Sequence, residues 1–271
     1  MKNKPLRSFQ TDQLTVEIYP DRAAMGAAAA ADAAKAIKDL LAKEKTVRMI
    51  FAAAPSQNEF LASLGATPGI DWSRISAFHL DDYLGLPEEA PQRFSSFLKE
   101  HLFNRVRPGA VHYLIGPASG LTRKADPASL ADEIEESCRE YSLLLQEEPI
   151  DIVCMGIGEN GHLAFNDPPV ADFNESQWVK LVRLDERCRQ QQVNDGCFAT
   201  LAEVPTHALT LTIPALIAAK RIFCMVPGPT KQEAVSRTLA DPVATQCPAT
   251  ILRRHPAATL YLDPDAAARI R

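Results

Sequence analysis

At 271 residues, with 46% hydrophobic and 23% charged side chains, the chain is too apolar for a disordered segment and long enough to bury a sizeable core. Its 29 basic and 34 acidic residues leave a net charge of −5, which argues against a protein that coats nucleic acid through bulk positive charge. No stretch approaches the ~20 apolar residues of a membrane helix, and the N-terminus lacks the apolar run of a secretory signal.

In chain order, Thr15–Tyr19 reads as a strand and Asp21–Lys43 as a long Ala-rich helix. Val47–Ala52 is a second strand, followed by a turn at Ala54–Ser56 and a helix from about Asn58. Ile75–Leu80 is a third strand, ending at Asp81-Asp82. Pro91–Phe103 reads as helix, Val111–Ile115 as strand and Pro127–Leu145 as helix. Ile150–Met155 is a continuous apolar run that opens into a Gly-rich loop. His207–Ile213, Arg221–Val226 and Thr259–Leu262 are further strands, with a helix at Lys231–Leu239. Strands separated by helices predict parallel βαβ units, and continuous apolar strands suit a sheet covered on both faces. A single doubly wound, Rossmann-like α/β domain spanning 1–271, with a mostly parallel sheet, is therefore expected. In such sheets ligands sit beyond the carboxyl ends of the strands. That rule directs attention to the loops after Ala52, Leu80 and Met155.

The third of these loops is Gly156-Ile157-Gly158-Glu159-Asn160-Gly161-His162-Leu163-Ala164-Phe165-Asn166-Asp167-Pro168. Its glycines allow tight turning and close approach to a ligand. A His five residues before a carboxylate fits a proton-transfer group held by an acidic neighbour, and equally a surface His beside an Asp. The second loop carries Asp81-Asp82, which could serve as metal ligands, a general base or a helix cap. No further His-rich or Asp-rich motif supports a metal. The six cysteines (Cys138, Cys154, Cys188, Cys197, Cys224, Cys247) have neither CxxC nor zinc-site spacing. Buried free thiols in the cytoplasm are expected. His79, His101, His112, His207, His255, Trp72 and Trp178 read as packing or surface residues.

Phe78-His79-Leu80-Asp81-Asp82-Tyr83-Leu84-Gly85-Leu86-Pro87, the Gly156–Pro168 loop, Val204–Thr210, Pro227–Val235 and Cys247–Leu252 together resemble the ordered motifs of glucosamine-6-phosphate deaminases. The resemblance runs from about Val47 to the C-terminus. It implies conversion of glucosamine 6-phosphate to fructose 6-phosphate and ammonia. It makes Asp81 the base at C2 and His162 the ring-opening group. Asp167 would orient His162 in place of the family's usual Glu, and Asn160 stands where members carry Asp or Asn. Ser56, Gly158, Gly161 and Lys231 would bind substrate. No organic cofactor and no metal are implied. The implied partner is a small amino-sugar phosphate, with neither nucleic acid nor membrane, and a homo-oligomer is left open.

The chain departs from the family around the phosphate. The usual Thr-Gly-Gly-Thr-Pro loop is replaced by Ala53-Ala54-Pro55-Ser56-Gln57. The Arg of an Asn-Ser-Arg-Phe-Phe-like segment is replaced within Cys188–Phe198, although Arg187 and Arg189 lie upstream. Gln190–Gln192 reads either as a solvated helix face or as part of a substrate lid. Three alternatives follow: a deaminase of a different amino sugar, a sugar-lactone hydrolase of the 6-phosphogluconolactonase type, and a stand-alone sugar-phosphate sensor. A lactone has no C2 proton to remove, so Asp81 favours the deaminase. The first strand begins near Thr15, leaving no space ahead of it for the DNA-binding helices that such sensors carry.

Overall fold

The computed structural model describes residues 4–117 and 119–270. The strands are β1 (Arg7–Thr11), β2 (Leu14–Ile18), β3 (Val47–Phe51), β4 (Ile75–His79), β5 (Asp81–Tyr83), β6 (Ala110–Val111), β7 (Ile152–Met155), β8 (Val179–Arg183), β9 (His207–Leu211), β10 (Arg221–Val226) and β11 (Ala258–Leu262). The helices are α1 (Arg22–Leu41), α2 (Asn58–Ala66), α3 (Phe94–Leu98), α4 (Asn104–Val106), α5 (Ala131–Gln146), α6 (Glu186–Asn194), α7 (Ile213–Ile217) and α8 (Gln232–Ala240). No helix among the described residues is long and apolar enough to cross a membrane.

Eight strands form one sheet in the order β1-β2-β11-β10-β7-β3-β4-β6. Every pairing in it is parallel except the β1–β2 hairpin. The expected doubly wound, mostly parallel sheet is present. Alternate side chains of the central strands feed two cores, because successive residues point to opposite faces. Met49, Phe51, Ile152 and Cys154 pack with the alanines of α1 and with Phe60 and Leu64 of α2. Ile50, Val153 and Met155 pack with Ile134, Tyr141 and Leu145 of α5 on the other face. The Asp21 side chain accepts from the Ala24 N–H (2.7 Å) and so starts α1.

Several expectations need correction. β1 was not expected, and it pairs with β2 on the edge of the sheet. The Val111–Ile115 strand shrinks to Ala110–Val111. The Pro91–Phe103 helix begins only at Phe94 and widens into a π-helical turn at Lys99–Phe103. His207–Leu211 is a strand, but it lies outside the main sheet. It is the centre of a second, antiparallel sheet in the order β5-β9-β8. Leu80 links the two sheets: its N–H donates to Phe51 O and its carbonyl accepts from Leu211 N–H. The chain therefore crosses between sheets immediately before Asp81.

Candidate active site

Strand order reverses between β3 and β7, since β4 and β6 extend one way and β10 and β11 the other. This switch point leaves a crevice beyond the strand ends. The cleft there is about 530 Å³ with solvent at its mouth included. Asp81, His162, Ser56, Gly158 and Lys231 all line it. Asn160, Asp167 and Gly161 do not; they stand behind the lining.

Asp81 and Asp82 have opposite fates. The Asp82 carboxylate is fully buried. Its Oδ1 accepts from the N–H groups of Tyr83 (3.0 Å) and Phe94 (3.1 Å), and its Oδ2 from buried Arg93 (3.3 Å). Arg93 is held in turn by Ile115 O (2.8 Å). The Asp81 carboxyl has neither a hydrogen bond nor a cation among the described residues, and burial followed by the charge of Asp82 raises its pKa well above the ordinary carboxylate range. Its backbone is fixed from below. The Asp81 carbonyl accepts from His79 Nδ1 (2.8 Å), and His79 Nε2 accepts from Leu114 N–H (2.9 Å). His79 is thus a neutral ring with both nitrogens satisfied, and burial lowers its pKa.

The Gly-rich loop presents His162. A Cβ on Gly158 would come within 2.1 Å of the His162 ring, so the ring lies directly on the Gly158 backbone. Gly161 has φ +87°, and a Cβ there would meet Cys247 Sγ at 2.6 Å. Its part is to shape the loop, not to touch the cleft. Behind the ring, His162 Nδ1 stands 2.8 Å from Asp167 Oδ1. The ring N–H is out of line with that oxygen, so the two groups touch without a well-directed hydrogen bond. Asn160 ties the group together: its Nδ2 donates to Asp167 Oδ1 (2.8 Å) and its Oδ1 accepts from the His162 N–H (3.0 Å). Burial pushes the Asp167 pKa up, but contact with His162, followed by donors from Asn160 and the Asp185 backbone, outweighs it and leaves the carboxylate below its ordinary value. The Phe165 N–H donates to Thr210 Oγ1 (3.0 Å), and Thr210 lies opposite Asp81 in the second sheet. The His162 loop and Asp81 are therefore anchored on the same strand, β9.

Lys231 follows the turn after β10. The Gly228 N–H donates to both carboxylate oxygens of Asp263 (3.0 Å each), which fixes that turn. The Lys231 side chain is buried with no hydrogen-bonded counter-ion among the described residues; burial lowers its pKa, opposed by the charges of Asp195 and Glu159. It is the one Lys or Arg among the described residues lining the cleft. Ser56 Oγ accepts from Gln57 Nε2 (3.2 Å), which leaves its own O–H free to donate.

Gln191 and Gln192, from the run read as a solvated face or part of a lid, line the cleft, and so does Gln57, to which sequence reasoning gave no role. Gln191 is a strut: its Oε1 accepts from Glu159 N–H (2.8 Å) and clips α6 to the Gly-rich loop. Gln190 alone is exposed and matches a solvated face. Cys188, on the same helix, lies with His162 and Asp167 in a cluster whose ligand-type atoms are within 4.8 Å of one another. Only its place on a buried helix face two turns before the end of α6 could have drawn attention to it.

Residues 20–261 match the family of glucosamine-6-phosphate isomerases and 6-phosphogluconolactonase. The chain is 35% identical over 197 residues to glucosamine-6-phosphate deaminase of Bacillus cytotoxicus, covering 73% of this chain and 68% of that protein. It is 36% identical, with the same coverage, to the deaminase of Bacillus thuringiensis. A solved monomeric glucosamine-6-phosphate deaminase has TM-score 0.81 and 26% identity, covering 93% of this chain and 98% of that one. The 6-phosphogluconolactonase of Leishmania guyanensis shares the fold, at TM-score 0.74 and 20% identity over 94% of this chain and 98% of that one.

Proposed function

The chain belongs to the glucosamine-6-phosphate isomerase/6-phosphogluconolactonase family, and from that premise we propose that it converts glucosamine 6-phosphate to fructose 6-phosphate and ammonia. The observation that carries this reading is the unpaired, buried carboxyl of Asp81 in the same cleft as the His162–Asp167 pair.

His162 opens the sugar ring by moving a proton from the anomeric hydroxyl to the ring oxygen. With Nδ1 turned to Asp167, Nε2 is the nitrogen left for this exchange. The ionised Asp167 orients the ring and balances the charge that develops when it is protonated. The open-chain aldehyde then acidifies the proton on C2. Asp81 takes that proton, the electron pair forms the C1–C2 double bond, and the carbonyl π pair moves to the C1 oxygen, which takes up a proton to give an enolamine. Asp81 returns the proton to C1, leaving a ketimine at C2. Water adds there, the C–N bond breaks, and ammonia leaves. A carboxyl with a raised pKa suits both halves of this exchange: it is a stronger base than an ordinary carboxylate and a ready donor afterwards. Nothing is oxidised or reduced overall, so no electron-carrying cofactor is needed.

Lys231 and the Ser56 hydroxyl take the phosphate, with one positive charge supplied from within the cleft. All six cysteines are free thiols, which suits the reducing cytoplasm as its setting. The test is ammonia release from the purified chain offered glucosamine 6-phosphate, free glucosamine and 6-phosphogluconolactone. Ammonia from the first, little from the second and no hydrolysis of the third are expected. Rapid lactone hydrolysis without ammonia from any amino sugar would overturn the proposal.

A further inference from the structure

We infer that His162, Asp167 and Cys188 form a binding site for a thiophilic, tetrahedral divalent cation such as Zn²⁺. The donors come from two elements, the loop after β7 and helix α6, and are held by burial. His162, Asp167 and Cys188 are 7%, 1% and 1% exposed. Their donor atoms lie within 4.8 Å of one another, with His162 Nδ1 and Asp167 Oδ1 at 2.8 Å. Tetrahedral zinc with bonds of about 2.0–2.3 Å sets its ligand atoms roughly 3.4–3.6 Å apart. One separation lies below that spacing and none of the three exceeds 4.8 Å, so the donors already stand within reach of one shared ion. His162 Nδ1 is buried and has no well-directed hydrogen bond. It is the donor that a cation between the three groups would engage.

The donor chemistry selects the ion. One sulfur, one imidazole nitrogen and one carboxylate oxygen suit Zn²⁺ or Co²⁺; hard ions such as Mg²⁺ and Ca²⁺ need mostly oxygen. Binding is acid–base balanced: the Cys188 thiol proton and any proton on His162 Nδ1 go to solvent. The cation then bonds thiolate, neutral imidazole and carboxylate, with a water as the fourth ligand. A cation in this place replaces the proton between His162 and Asp167 and pins the ring. Occupation therefore inhibits reversibly. That consequence rests on the proposed ring-opening role of His162, whereas the binding does not.

The experiment titrates the purified chain with Co²⁺ and follows the thiolate-to-metal charge-transfer band in the near ultraviolet. One equivalent is expected to give the band, Zn²⁺ to displace it, and Cys188→Ser to abolish it while weakening Zn²⁺ binding at least about tenfold. Cys138→Ser, away from the cleft, is expected to keep it. Zinc X-ray absorption on the unmodified chain gives a reading that no variant's folding can spoil, and one sulfur at ~2.3 Å is expected. Absence of a sulfur ligand, or a band that survives Cys188→Ser, would overturn the site. Zn²⁺ is also expected to slow ammonia release, with recovery on chelation. Metal binding that leaves a measurable deaminase rate unchanged would overturn the inhibitory consequence, while a chain that binds metal but never releases ammonia would instead refute the proposed function.

Discussion

Asp81 and Asp82 are adjacent in the chain, yet Asp82 is closed off by Arg93 and two backbone N–H groups while Asp81 is left with none of these. The pair divides structure from chemistry. Asp82→Ala is expected to strand the buried Arg93 and to cost about 3–5 kcal/mol of stability, the usual penalty for removing one member of a buried ion pair. Chemical denaturation should show it as a lower midpoint. A stable Asp82→Ala protein would mean that Arg93 finds another partner or solvent.

Asp81 has the opposite linkage. Its folded pKa lies above its unfolded value, so the folded chain keeps a proton that the unfolded chain has lost. Its contribution to stability is present below the unfolded pKa and falls as pH rises through the window up to the folded one. Asp81→Asn is therefore expected to melt higher than the unmodified chain at neutral pH, with a smaller loss of stability as pH rises above about 4. The same raised pKa sets the acid limb of kcat, which should fall well above the pH at which ordinary carboxylates titrate. Asp167 works the other way: its lowered pKa gives stability above the unfolded value that is lost as pH falls through the folded one.

Gly158 is a steric test of the His162 position. Any side chain there drives a Cβ into the imidazole, 2.1 Å from its nearest atoms. Gly158→Ala is expected to turn the ring away from the cleft and to lower kcat about 10²-fold or more, with an unchanged circular dichroism spectrum. A rate near normal would show that the ring's observed seat is not the one used in turnover.

Lys231 is the lone Lys or Arg along the described cleft wall. A charged hydrogen bond is worth about 1.5–3 kcal/mol, or roughly 10- to 150-fold in affinity. Lys231→Ala is expected to raise KM for the phosphorylated sugar by that factor and to leave kcat within a few-fold. Steady-state kinetics on both sugars decides it. An unphosphorylated sugar handled as well as the phosphorylated one by the unmodified chain would point to a different amino sugar as substrate, in keeping with Ala53–Gln57 in place of a Gly-rich loop.

The central strands were legible because β3 and β7 are continuous apolar runs, as strands covered on both faces must be. The rule that places ligands at the strand ends then located the cleft. β1 was not legible, since Arg7–Thr11 is an edge strand with mostly exposed residues and no apolar alternation. The second sheet was not legible either. A three-residue strand at Asp81–Tyr83 has no periodicity to read, and the pattern of His207–Leu211 does not say which sheet it joins. The choice between Asp81 and Asp82 depends on Arg93, eleven residues on, and on a backbone N–H at Phe94. The cluster of Cys188 with His162 and Asp167 depends on how α6 docks on the Gly-rich loop, which no local motif encodes.

The most direct measurement follows glucosamine 6-phosphate in heavy water, recording ammonia and the hydrogens on C1 of the product by nuclear magnetic resonance. The unmodified chain is expected to release one ammonia per fructose 6-phosphate and to place solvent deuterium or the former C2 hydrogen on a single face of C1. Asp81→Asn, folded by circular dichroism, is expected to do so about 10²–10⁴-fold more slowly. Ammonia release by Asp81→Asn at the unmodified rate, or none from the unmodified chain, would contradict the role of Asp81 as the base at C2.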